Sequence, residues 1–332
     1  MRKLSCQHLP ALLAFAIACC LFALMPAMAC ADSATVLGGI INGFDHGGAG
    51  TLAATASGNA VDVRGGVDGA SNQLILDINP GVEVIWNASY GGMRDDALIR
   101  LAGDGIFEIA DGASIENNGA GGAVSSGGAG SNIRVSGGIA GGGAVAVETR
   151  GKVVMDGGAA YAYGDCVIYA DGDVTVNGGT VNASYDATGV YSVKGNVYVN
   201  GNGSVSAIDG YAIRTEGKGA RVELNGGVVM AFGGACIIVN GAGSKISITD
   251  GEVRAQSGVA IGVYGDNCAI EINSGSVSDI VGGIAVETTG KNSSVGISGG
   301  RISAGEKAAL SVIGVWGVDN PLKTVDSCTE DN

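Results

Sequence analysis

The chain has 332 residues, of which 61 are Gly, 46% hydrophobic, 15% charged and 5% aromatic, with a formal net charge of −14. So much Gly beside Val, Ile and Ala weighs against helices, since Gly in a helix interior costs about 1 kcal/mol relative to Ala; the apolar content exceeds that of a disordered chain, and 4 Pro without a strict triplet exclude collagen. The acidic balance disfavours nucleic acid and anionic membranes as partners.

Residues 1–31 read as an export signal. Arg2 and Lys3 open it, Leu9 to Leu24 form an apolar stretch, and two Ala-x-Ala sites overlap at Ala27-Met28-Ala29 and Ala29-Cys30-Ala31. Cleavage after Ala31 is expected, taking the charge from −14 to −16 by removing Arg2 and Lys3 and no acid. Lipidation of Cys30 is the alternative, disfavoured because Ala27 stands where a lipobox carries Leu or a similar residue. No later stretch approaches the ~18 apolar residues of a membrane span, so the product is expected outside the cell or at its surface.

Residues 32–73 form a lead-in or cap, expected to cover the N-terminal end of a repeat array. They contain His46, the only His after the signal. A triad or a His-based metal site would have to be built around that one residue, and a loop His is the better expectation.

Residues 74–315 are a tandem array. Irregular copies begin at LILDINPGVEVIWNASY from Leu74 and GIFEIADGASIEN from Gly105. Regular ones follow as IRVSGGIAG from Ile133, VVMDGGAAYA from Val153, VTVNGGTVNA from Val174, VYVNGNGSVSA from Val197, VELNGGVVMA from Val222, ISITDGEVRA from Ile246, IEINSGSVSD from Ile270 and VGISGGRISA from Val295. Each is followed by a further alternating segment such as CVIYADG or YAIRTEG. Three short strands per period of about 24 residues make one turn of a single-chain parallel β-helix, an all-β solenoid. The two-residue strand period points Val174 and Val176 inward and Thr175 outward. After the first strand comes a polar column, Ser136, Asp156, Asn177, Asn200, Asn225, Thr249, Asn273 and Ser298. Asn177, Asn200, Asn225 and Asn273 are expected to form a ladder in which each amide satisfies buried donors above and below. The Gly pair behind them supplies a sharp corner. Residues 316–332 leave the repeat near Trp316 as a cap or a cut-short tail.

The VNGGTV and VNGGVV units with alternating YAIRTEG-type strands resemble pectin-lyase-like β-helix proteins, and more narrowly are similar to repeat-rich, adhesin-like bacterial surface proteins, some described as carbohydrate-binding. The resemblance covers about Leu74 to Val315, implies a right-handed helix, and says little of function, because this fold hosts lyases, hydrolases, adhesins and passive stalks. Lyases of the fold, the resemblance implies, carry acidic Ca²⁺ ligands on neighbouring turns and an Arg or Lys base. The acids in equivalent slots here are Glu223 and Glu271, two turns or about 9.6 Å apart, near the upper limit for an inverting carboxylate pair; two solvated acids are the preferred view. GGAGSNIRV from Gly127 has Asn132 where a calcium nonapeptide has Asp, and Asp171 and Asp173 fit an ordinary turn. No catalytic residue, cofactor or metal is therefore expected.

Cys6, Cys19, Cys20 and Cys30 belong to the signal, leaving Cys166, Cys236, Cys268 and Cys328. Cys166 and Cys236 lie in nearly equivalent positions three turns apart, about 14 Å and beyond disulfide reach; they are expected as small core residues in the region of Ala146, Ala212, Ala260 and Ala285. Cys268 could meet Cys328 only if the tail folds back. The remaining candidates are aromatic. Tyr163, Tyr185 and Phe232 fall at the corner after the second strand, in a series with Ile208, Gln256 and Ile280. They form either an outer strip for stacking on sugar rings or a corner stack that closes the core. The expected function is a secreted or surface-bound structural, adhesin-like rod whose partner is an extracellular glycan or surface protein; polysaccharide binding, or less readily cleavage, is the alternative.

Overall fold

Residues that alternate in the sequence alternate in burial. Val174 and Val176 are fully buried with Thr175 between them half-buried, and the same pattern recurs at Val197/Val199 and Val222/Leu224. This follows from the two-residue side-chain period of a strand with one face on a core. In the computed structural model, which describes residues 32–305 and 309–312, the alternation winds into a parallel β-solenoid of about ten turns, with strands about 24 residues apart stacked on one another. A turn has three strands, the first two running on as one eleven-residue strand at Val197–Ala207, Arg221–Ala231 and Lys245–Ala255. In one turn the three are Lys152–Met155, Ala159–Ala162 and Cys166–Ala170. First and second strands together build a sheet of nineteen described strands, and third strands build a second sheet of eleven.

The register keeps each slot in a column. Val153, Val174, Val197, Val222, Ile246, Ile270 and Val295 are successive partners through the core. The outward neighbours Arg134, Val154, Thr175, Tyr198, Glu223, Ser247, Glu271 and Gly296 form the next column, as the sequence repeat predicts. At the corner between first and second strands the Gly pairs let backbones of adjacent turns approach closely. Gly227 has φ 75°, and a Cβ there would lie 2.5 Å from the Gly203 carbonyl oxygen, so no other residue fits.

The segment 32–73 holds three elements. Helix α1 (Ala34–Asn42) starts at Ser33, whose hydroxyl accepts the Val36 N–H, and buries Leu37 and Ile41. Strand β1 (Ala49–Ser57) pairs antiparallel with β2 (Ala60–Ala70), and β2 pairs in parallel with Glu83–Trp86 and Ser89–Gly92. Parallel stacking thus begins at Ala60, before Leu74. The side-chain amide of Asn42 holds the middle of β1: its Nδ2 donates to the Ala54 carbonyl at 2.8 Å and its Oδ1 accepts the Ala54 N–H at 2.7 Å. One side chain thereby occupies both outward backbone groups of Ala54, in the middle of the edge that another strand would use. Behind the hairpin, Trp86, Tyr90 and Phe107 fill the first turns, with ring centroids 5.7 and 5.9 Å apart. Residues 1–31 with Cys30, expected to be an export signal, and residues 316–332 with Cys328, expected to be a cap or tail, lie outside the described residues. Among the described residues no helix is long and apolar enough to cross a membrane.

Candidate functional site

The Asn column forms the expected ladder, on the opposite side of the wall from the one expected. Asn177 Nδ2 donates to Asp156 Oδ1 at 2.8 Å, Asn200 to Asn177 at 2.9 Å and Asn225 to Asn200 at 3.1 Å, and the Thr249 hydroxyl donates to Asn225 at 2.6 Å. Asn273 joins a separate rung, accepting from Ser298 at 2.8 Å. The register shifts beside Asn225, so that it pairs with Asp250. These side chains are exposed or half-buried. The ladder therefore braces the outside of the corner rather than satisfying buried donors: the Gly pair turns the backbone after the Asn, and its side chain is left on the convex side.

The aromatic corner is also external, which answers the alternative left open by the sequence. Tyr163 is 57% exposed, Tyr185 67% and Phe232 50%, with Ile208 and Ile280 at 45% and 49%. Backbone bonds place Tyr163, Ser184, Ile208, Phe232, Gln256 and Ile280 at the same level of successive turns, each N–H donating to the turn before. Tyr185 is an additional residue in its turn and takes a left-handed backbone, φ 53°. The result is an apolar ridge along the outside of the rod, interrupted by Gln256. At its N-terminal end Tyr163 meets Tyr161 edge-on at 5.9 Å. The Tyr161 hydroxyl donates to Glu116 at 2.6 Å. Its ring lies across Gly141, where a Cβ would come within 2.4 Å of it. Burial first, and then the bond to Glu116, raise the Tyr161 pKa.

Beside the ridge runs the outer face of the third-strand sheet. Its outward column reads Arg100, Ser125, Glu148, Tyr169, Tyr191 and Arg214. Tyr169 and Tyr191 pack edge-to-face at 5.4 Å, and the Arg214 guanidinium lies 5.1 Å from the Tyr191 ring and 5.7 Å from that of Tyr211, a cation–π arrangement. Arg214 donates to Glu216 at 2.6 and 2.9 Å, and Asn240 donates to the same oxygen at 2.9 Å. Partial burial opposes the charge of each partner. The Asn240 and Arg214 bonds outweigh it for Glu216, whose pKa falls, and the Glu216 bond outweighs it for Arg214, whose pKa rises.

The upstream part of the same face is hollow, a feature the repeat alignment did not reveal. Two adjoining depressions, of about 350 and 670 Å³, share Arg100, Ser125 and Glu148. Their sequence signal is a run of small residues, GAGGAVSSGGAG from Gly119.

Other candidates have structural partners. Glu223 lies 3.9 Å from Arg221 and Glu271 lies 2.7 Å from Lys245, with Ser247 between the two acids in the column. Asp171 pairs with Lys194 at 2.8 Å, and Asp173 accepts the Asn196 backbone N–H at 2.7 Å. His46 Nδ1 accepts the Gly48 N–H at 3.1 Å inside its own loop. Among the described residues no three His, Cys, Asp or Glu side chains converge as a metal site would require. Cys166, Cys236 and Cys268 are free thiols and buried. Burial pushes the Cys166 and Cys236 thiols up to about 12, which suits inert core residues. Their slots differ by one. Ile168, Val190, Ile213 and Ile237 share a column, so Cys236 stands level with Val167 and Ala212 while Cys166 precedes that position. Cys166 opens its third strand, Cys166–Ala170, whereas Cys236 is the second residue of Ala235–Val239, where Ala235 holds the opening slot.

Comparison with protein-family models, curated proteins and solved structures finds no match to this chain. The class the coordinates define is the parallel β-solenoid.

Proposed function

We propose that this chain is an exported, adhesin-like rod of the pectin-lyase-like kind that holds a repetitive face against an extracellular glycan or a glycan-bearing surface, without catalysis. The observation that carries this function is the ridge. A solenoid with a closed core has no folding reason to keep Tyr163, Tyr185 and Phe232 about half exposed on one corner, and exposed apolar side chains grouped together mark interaction surfaces. Aromatic rings offer a flat apolar face to the C–H face of a sugar, with a hydroxyl at the rim in Tyr. Parallel strands repeat every ~4.8 Å, so a rigid rod meets a polymer at several levels at once, and weak contacts add through effective concentration.

The test is retention of the folded protein on insoluble polysaccharide particles and on glycan-bearing cells, beside Tyr163→Ala, Tyr185→Ala and Phe232→Ala. Saturable retention that falls in the variants while their circular dichroism stays unchanged supports the function. Retention equal in all four proteins, or absent from the parent on every surface, refutes it.

A further inference from the structure

We propose that the hollow on the third-strand face is a second glycan site, a groove lying across the rod that takes a neutral, hydroxyl-rich chain. It rests on the glycan-binding function proposed above but uses different residues from the ridge.

The groove exists because one turn lacks side chains. In residues 119–130 nothing is larger than Ser except Val124, and Val124 is buried in the core. Ser125 and Gly127 are left as the outer floor. The turn before raises Asp95, Asp96 and Arg100 as one wall, and the turns after raise Glu148, Arg150 and Tyr169 as the other. Arg100 and Glu148 flank Ser125 in register on either side, so the walls stand two strand spacings, about 9.6 Å, apart.

The polar groups of this groove differ from those farther along the same face. Downstream, Arg214, Glu216 and Asn240 are bonded to one another, and at the edge of the groove Lys194 pairs with Asp171. In the groove, neither Arg100 nor Arg150 has an ion pair or a side-chain hydrogen bond within the described residues, and Glu148 has none either. Unpaired donors and unpaired acceptors therefore face one narrow space. With Asp96 paired to Arg94 and Asp171 to Lys194, the charges left are Asp95 and Glu148 against Arg100 and Arg150, so a polyanion and a polycation are each opposed by like charge. Sugar hydroxyls donate to the carboxylates and accept from the guanidiniums without net charge, and the Tyr169 ring supplies a stacking surface at the rim. An extended peptide has no backbone edge to join, because Val124–Ser126 is already paired on both sides, with Ile99–Ala102 and with Val145–Thr149.

Gly127 gives a clean way to fill the groove. A Cβ at this position meets nothing within 4 Å, and its φ is not in the left-handed region, so Gly127→Trp occupies the floor without straining the fold. The experiment is calorimetric titration of the parent, Gly127→Trp, Arg150→Ala and the ridge variant Phe232→Ala. Soluble glucan and mannan oligosaccharides are the neutral probes, polygalacturonate the anionic one, and chitosan oligosaccharides the cationic one. The expected result is binding of a neutral oligosaccharide that weakens about tenfold or more in Gly127→Trp and in Arg150→Ala and is unchanged in Phe232→Ala. Tighter binding of either charged polymer than of both neutral ones overturns the inference, as does binding by Gly127→Trp and Arg150→Ala equal to the parent. Loss in Phe232→Ala alone removes the groove and leaves the ridge in place. No binding of any probe removes the groove, while retention on insoluble glycan surfaces decides the ridge separately.

Discussion

Replacing Asn200 by Ala tests whether the ladder braces the outside of its corner. Asn200 is the central rung: it donates to Asn177 at 2.9 Å and accepts from Asn225 at 3.1 Å. Its removal breaks two hydrogen bonds, but the two amides left behind are exposed and turn to water instead. The cost is then the net worth of two bonds, about 1–3 kcal/mol in all at roughly 0.5–1.5 each, without the additional ~1–3 kcal/mol for each buried group left unsatisfied. Urea unfolding followed by far-ultraviolet circular dichroism reads this as a lower midpoint at unchanged m, once coincident transitions by fluorescence show that the repeat array unfolds cooperatively. A second variant fixes the direction of the bond. The carboxyl introduced by Asn200→Asp still accepts from Asn225 but no longer donates to Asn177 when ionised. Protonated, it donates again, so its folded-state pKa lies above the unfolded value. The stability it returns is present at low pH and lost as pH rises through the folded pKa, measured against the parent at the same pH. An unchanged midpoint in Asn200→Ala, or a loss above about 4 kcal/mol, refutes a solvent-side ladder, the latter because only orphaned buried groups cost so much.

Two further outcomes are expected. Asn42→Ala frees the N–H and carbonyl of Ala54 on β1 and leaves an edge strand open to pairing, so sedimentation velocity should show concentration-dependent self-association that the parent lacks; a monomeric variant over the same range refutes an edge-blocking role. At high pH the parent should lose stability steadily: burial pushes Tyr90 and Tyr264 from 10.0 to about 12, and Cys166 and Cys236 from 9.0 to about 12. Because these folded pKa values are raised, the stability is present below about 9 and lost as pH climbs towards 12, and a urea midpoint that stays flat over that span contradicts the assignment.

The period and the inward columns were legible because stacking repeats a slot and repetition shows in the letters: Val174, Val197 and Val222 read as one column and are one. Which side of a corner a residue takes was not legible for Asn177 or Asn200, since a ladder has the same spacing inside or out and only the turn of the Gly pair decides it. The one-residue offset between Cys166 and Cys236 is their place within the third strand, first against second, and only the register of Ile168 with Ile237 reveals it. Tyr185 shows the same limit, being an extra residue whose neighbour Ser184 holds the shared slot. The elements of residues 34–57 follow no repeat and so gave no periodic signal. The groove escaped for a different reason: it is made by what turn 119–130 lacks, and low side-chain volume looks like linker when it is read as composition.

The hairpin and Asn42 finish one end of the stack with an antiparallel pairing and a side-chain clasp that do not recur among the described turns, while every later turn touches only the turns beside it. Length is therefore independent of closure. Duplicating or deleting a whole turn downstream of Asp171 leaves α1, β1, the Asn42 clasp and the groove as they are, and lengthens or shortens the ridge by one strand spacing, about 4.8 Å. The molecule is a ruler whose divisions can be added or removed one at a time, with its zero mark fixed.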